Sequence, residues 1–482
     1  YVVALRKLTG QDGRPIDAPT GFAALRDGTP VANRALEARR ARTTAVIAKL
    51  EADCGIDRKD LVLAWDFTTA SDDNLQRWLL HMRDATFGEL GAAAPAFTVT
   101  SVEDDPVGDP RICRRVRGTF SVPLWTTADA PGARLRLDPA TNLPVRSGAA
   151  TAPVTAIIPC SLVNGPTHTG RPIVYGHGLL GAGDSEISDA PDLRDLANNH
   201  GFVVIATDWQ GMSRADLGAI VDFIGDLSGF PVLPERLHQG ILNTLVLTHL
   251  VGAADGLATH AAFRTGDGTT PYFDRSAVYF YGNSMGGIYG LTFMTLSQEI
   301  TRGVIGVGAA NFSMFLQRSN AFAAYFALLK VAYPGDLERA AGFGLIQELW
   351  DRADPNGWYH RALDNPLPAT PAHRLLVHMA SNDAEVPNLG TQVVVRSLGI
   401  PQLTPVVRSY WGIDEATAPV DGSAMLESDG GYPPVPLTNT PPPGNAAHEG
   451  MRDYAAIQAQ ISAFFQPGGV IEQHCSGVCD PE

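Results

Sequence analysis

A serine hydroxyl attacks a carbonyl at neutral pH only when a base takes its proton, so the chemistry calls for a serine, a histidine and a carboxylate that the fold can bring together. Gly282-Asn283-Ser284-Met285-Gly286 offers a serine with the small neighbours that a sharp strand-to-helix turn demands. With 49 glycines in 482 residues, a bare Gly-x-Ser-x-Gly arises by chance in roughly one chain in three. Context is what lifts it above chance. The β-rich run Ala277-Val278-Tyr279-Phe280-Tyr281 precedes the turn, and a helix-forming run opening at Ile288 follows it. Ser284 is therefore the candidate nucleophile.

The other parts follow in an order that suits the same reaction. Upstream, Val174-Tyr175-Gly176-His177-Gly178-Leu179-Leu180-Gly181 ends a strand in a glycine-rich loop. The backbone N–H of Leu179 there, with that of Met285, is the expected pair of donors to the oxyanion of a tetrahedral intermediate. A phosphate-binding loop is the competing reading, but the segment lacks both a lysine and a Gly-x-Gly-x-x-Gly spacing. Downstream, the strand-like residues 374–379 lead into Ser381-Asn382-Asp383-Ala384-Glu385-Val386-Pro387. Asp383 is the expected acid, and Glu385 its competitor. Of the 12 histidines, His448 follows the last expected strand and is the expected general base. His177 is the rival base, while His249 and His378 fall in apolar segments and read as core residues. Ser284, Asp383 and His448 then stand in the order serine, acid, histidine.

These residues need a frame. From residue 172 onward the pattern alternates strand, loop and helix, with strands expected at residues 173–175, 202–207, 277–281, 304–307, 374–379 and 404–411. Helices are expected at residues 192–199, 237–251, 287–298 and 449–465. Such alternation calls for a mostly parallel sheet with helices on both faces. More strand signals lie at residues 97–102, 114–124 and 155–159. Residues 312–371, rich in aromatic and aliphatic side chains such as Phe322, Tyr325 and Trp350, are expected to form a helical, lid-like insertion at the sheet's C-terminal edge. Its bland alternative is a helical pair that only buries sheet surface. Residues 412–445, with Pro441-Pro442-Pro443, read as a long irregular loop before the histidine. Residues 1–95 read as an α+β extension with no assembled chemistry, leaving residues 96–482 as the catalytic domain.

Composition excludes some partners. The formal charge of −15 repels a phosphate backbone, so nucleic acid is not expected. No apolar run reads as a membrane span; residues 240–252 read as a core helix. Five cysteines point to an oxidising compartment: Cys475 with Cys479, and Cys113 with Cys160, are the expected pairs, leaving Cys54. Five free thiols are the alternative. The chain starts at Tyr1 rather than Met, and we expect its natural N-terminus, with any export signal, to have been removed.

With these motifs in hand, residues from about Pro95 onward resemble the α/β-hydrolase superfamily. The Gly-His-Gly-Leu-Leu-Gly loop, the Gly-Asn-Ser-Met-Gly-Gly turn and the His-Glu-Gly near the end look like those of bacterial extracellular lipases and esterases. The first part of the chain is similar to extensions on some large secreted bacterial lipases and surface lysophospholipases. The resemblance implies a secreted, periplasmic or cell-surface hydrolase of carboxylic esters, acting on a small-molecule, lipid or polymeric ester, with no metal and no organic cofactor. Polyester depolymerase, lysophospholipase and amide hydrolase are alternatives with the same triad, because pocket shape selects the leaving group. Outside enzymes, the alternative is a silent binding protein on the same scaffold.

Overall fold

The computed structural model describes residues 1–106 and 108–480, and the chain divides into two compact units, Tyr1–Ser71 and Asp72–Glu482. In the small unit, strand β1 (Val2–Arg6) pairs antiparallel with β2 (Leu61–Asp66). Helix Arg40–Cys54 presents Val46, Ile47 and Leu50 to Phe22, Leu25 and Leu61, and Gly55 ends it in the left-handed region (φ 62). Before that helix, a separate turn, Arg34–Glu37, is capped by the Asn33 side chain, and the break falls at Ala38–Arg39.

The boundary falls after Ser71, not near residue 95. Helix Asp72–Leu90 buries Trp78, Leu79 and Met82 in the core of the large unit, so contacts assign it there whatever its place in the sequence.

Strands β3 (Phe97–Asp104), β4 (Ile112–Leu124) and β5 (Gly148–Pro159) form an antiparallel flank, and Cys113 is bonded to Cys160 beside it. Then come β6 (Arg171–Gly176), β7 (Phe202–Ala206), β8 (Tyr279–Asn283), β9 (Arg302–Gly306), β10 (Arg374–Ala380), β11 (Gln402–Thr404), β12 (Glu415–Thr417) and β13 (Ala424–Ser428). All belong to one sheet of 11 strands, in the order β12-β11-β13-β10-β9-β8-β6-β7-β5-β4-β3, and β6 to β13 run parallel to their neighbours among themselves.

Strands buried on both faces read as unbroken apolar runs, and their side chains alternate between two cores. Val174, Phe280, Ile305 and Val377 join one core. Ile173, Tyr279, Val304 and Leu376 join the other. Helices Val232–Gly252 and Met285–Leu296 cover the first, while Pro191–His200 and Ala455–Phe464 cover the second. By length and composition, the stretch Leu227–Thr259 would suffice to cross a membrane, unlike the sequence expectation. Its most apolar window is 83% buried inside the large unit, consistent with a core helix.

Two departures bear on the site. Residues 404–411 hold only the end of β11; the strand that precedes His448 is β13, inside the segment read as an irregular loop. Its Ala-Met-Leu centre is too short for a periodic signal among the prolines and glycines around it. Residues 312–371 are helical as expected, with Phe312–Phe315, Ala323–Ala332 and Asp336–Trp350. At their base the buried Asp354 accepts the N–H groups of Asn311 and Phe312, and burial pushes its pKa up to about 6.

This is the α/β-hydrolase fold. The chain leaves β6 toward β7 on one side and returns to β8 on the other, so the sheet order reverses at β6. In open α/β sheets a crevice opens at such a switch point, beyond the carboxyl ends of the strands. The loop after β6 and the turn after β8 both face it.

Candidate active site

Ser284 joins β8 to helix Met285–Leu296 with φ 60 and ψ −125, a backbone conformation that L-residues avoid. Its own N–H donates to Gly306 O at 2.9 Å, tying the turn to β9. The flanking glycines answer to contact: a Cβ on Gly286 would lie 1.9 Å from Gly176 O, and one on Gly282 2.2 Å from Gly286 O. The pentapeptide is thus wedged against the end of β6, which sets Ser284 beside the glycine-rich loop.

That loop is held by two side chains. His177 is fully buried; its Nε2 accepts the Trp209 N–H at 2.8 Å, which leaves Nδ1–H to donate to Gly178 O at 2.8 Å. It is a brace for the loop, with no free nitrogen to act as a base. Glu186 accepts the Gly178 N–H at 2.7 Å and the Tyr175 hydroxyl at 2.8 Å. The backbone N–H groups of Leu179 and Met285 find no acceptor among the described residues, which leaves both free to donate.

Asp383 and His448 are each 1% exposed. Asp383 Oδ2 lies 2.7 Å from His448 Nδ1, and Oδ1 accepts the N–H groups of Glu385 at 2.8 Å and Val386 at 3.0 Å. The carboxylate is therefore oriented through both oxygens. His448 is the second residue of the short helix Ala447–Gly450, and Asn445 just before that helix donates to Asn382 O at 2.9 Å, joining the histidine segment to the Asp383 loop. His448 Nε2 is buried with no hydrogen-bond partner among the described residues, and Glu385 Oε2 stands 3.9 Å from it. Burial disfavours the imidazolium, but Asp383, with Glu385 behind it, outweighs burial and raises the His448 pKa above the ordinary value.

Ser284, Leu179, Met285 and Glu385 all line one cavity, with ≈ 900 Å³ of empty space including the solvent at its mouth. Its walls are aliphatic and aromatic, and Glu385 is the single charged side chain among the described lining residues. The insertion supplies Phe322, Leu329, Phe343 and Trp350, and Trp350 stacks on Phe312 at 4.3 Å. A further part of the wall lies outside the insertion: helix Leu217–Gly225 contributes Ile220, Phe223 and Ile224. Their i, i+3, i+4 spacing was the available signal. Asn445 had none, because its partner Asn382 is 63 residues away in the sequence.

Elsewhere, His249 sits between Glu299 and Ala93 O, and the buried His378 contacts Gln460. Among the described residues no three His, Cys, Asp or Glu side chains gather to hold a metal ion.

No family model and no curated protein matches the chain. Among solved structures, it is similar to acetyl xylan esterase 1 from Thermoanaerobacterium sp. JW/SL YS485, with 12% identity, 77% of this chain and 96% of that one covered, and a TM-score of 0.39. An S-formylglutathione hydrolase from Agrobacterium tumefaciens gives 13% identity over 69% and 92% of the two chains, with a TM-score of 0.33. The rice cell wall degrading esterase LipA from Xanthomonas oryzae gives 15% over 70% and 91%, with a TM-score of 0.31.

Proposed function

We propose that the protein is a serine hydrolase that cleaves carboxylic esters with apolar acyl groups through an acyl-enzyme. The observation that carries this reading is the opening of Ser284 into an apolar cavity whose one charged lining residue among those described, Glu385, stands against the free Nε2 of an Asp-held histidine. Ser284 Oγ bonds to the ester carbonyl carbon as its proton passes to His448 Nε2, and Asp383 stabilises the imidazolium. The Leu179 and Met285 N–H groups receive the oxyanion. Collapse of the intermediate breaks the carbon–oxygen bond to the alcohol, which leaves with the proton from Nε2. A water, deprotonated by the same nitrogen, then releases the acid and restores Ser284.

The cavity favours a monomeric acyl chain over a polymer, since the helical insertion and helix Leu217–Gly225 both supply apolar side chains to its wall. The same features weigh against a silent binding protein, which has no use for a strained serine or an oriented imidazole. The bonds Cys113–Cys160 and Cys475–Cys479 support an oxidising compartment outside the cytosol. Ser284→Ala should cut p-nitrophenyl butyrate hydrolysis at least about a thousandfold with the melting temperature unchanged. Retained turnover would remove the nucleophile assignment.

A further inference from the structure

We propose that Glu385 sets the alcohol side of the substrate: the site selects esters of uncharged, hydroxyl-bearing alcohols and rejects those whose alcohol carries an anion close to the ester. This rests on the roles given above to Ser284 and His448. The rest of the cavity lining carries no charge among the described residues and cannot sort alcohols by charge.

The geometry places Glu385 where the alcohol leaves. His448 Nε2 must come within hydrogen-bond distance of the departing oxygen, about 3 Å, to return the proton. Glu385 Oε2 is 3.9 Å from that same nitrogen. Two points so close to one atom lie within about 7 Å of each other, so the first carbons of the alcohol and their substituents fall within reach of the carboxylate.

The carboxylate is also unspent. No described residue donates a hydrogen bond to it, and its one ion-pair partner among the described residues is the titratable His448, at a distance beyond a hydrogen bond. Arg452, a turn beyond His448, is engaged with Glu449, Asp192 and Glu186; Asp383 faces the other imidazole nitrogen. Among the described residues no cation therefore pairs with Glu385 while His448 is neutral, the state in which substrate binds. Its backbone is fixed, because its N–H donates to Asp383 and the neighbouring Ala384 carbonyl accepts the Asn320 N–H at 2.7 Å. A hydroxyl on the alcohol gains a charge-assisted hydrogen bond from such a group. A phosphate there meets an unscreened like charge in a site that is only partly open to water, the side chain being 34% exposed. Neutral monoacyl polyols are the favoured class, and lysophospholipids with an anionic headgroup the disfavoured one.

The test is kcat/KM for two esters with one acyl chain, 1-dodecanoylglycerol and 1-dodecanoylglycerol 3-phosphate, both below their aggregation limits. Wild type should prefer the neutral ester by about tenfold or more, and added salt should narrow that gap. Glu385→Gln should narrow it at constant salt, and Glu385→Lys should reverse it. An equal or inverted preference in the wild type overturns the proposal, as does a ratio that neither variant nor salt moves. If p-nitrophenyl octanoate is cleaved while both glycerol esters are refused, the alcohol-side assignment fails and the nucleophile stands. If p-nitrophenyl octanoate is also refused, the reading of Ser284 fails with it.

Discussion

His448 Nδ1 lies 2.7 Å from Asp383 Oδ2 at a sequence separation of 65, and both side chains are sealed from solvent. The pair is made by the sheet. Adjacent parallel strands β10 and β13 end side by side, one handing on to the acid's loop and the other to the segment that carries the histidine. A bond formed this way fixes which imidazole nitrogen carries the proton and leaves Nε2 as the acceptor.

The same pair sets a pH dependence. In the proposed mechanism His448 must be neutral to act as general base, so kcat/KM for a neutral ester should rise with pH through the folded-state pKa. Burial alone would lower that pKa, but Asp383 and Glu385 raise it above 6.5. The acidic limb of the profile should accordingly lie above pH 6.5, and Glu385→Gln should shift it toward lower pH. A limb below 6.5 in the wild type contradicts the arrangement.

Cavity shape should govern chain length. Ile220→Trp adds bulk on the wall formed by helix Leu217–Gly225. A series of p-nitrophenyl esters should show kcat/KM for decanoate falling about tenfold relative to acetate, in line with the 1–3 kcal/mol typical of a changed apolar contact. An unchanged chain-length profile would place the acyl group elsewhere.

The bond Cys113–Cys160 closes a loop of 47 residues, worth about 4 kcal/mol of unfolded-state entropy at 25 °C. The double variant Cys113→Ser, Cys160→Ser should unfold at a correspondingly lower denaturant midpoint. Thiol titration of the denatured, unreduced wild type should find Cys54 alone; five reactive thiols would contradict both bonds.

Much of the frame was legible because its signals are local. The turn around Ser284, the strands flanking it and the apolar runs of β6 to β8 each announce themselves within a few residues. What escaped depends on distant partners. Strand β13 is five residues long and owes its place to pairing with β10 and β11, so its surroundings read as loop. Helix Asp72–Leu90 looked like part of the extension because sequence shows its amphipathic face but not which core that face meets. Asp383 and Glu385 could not be told apart by type, being two residues apart in one loop. They separate by direction: one reaches the Nδ1 side of His448, the other the Nε2 side.

The assignment of Ser284 as nucleophile is tested most directly with a fluorophosphonate probe, followed by intact mass and a peptide map. One adduct per chain is expected, on the peptide containing Ser284, and lost in both Ser284→Ala and His448→Ala. A label on any other residue, or undiminished labelling of Ser284→Ala, would contradict it.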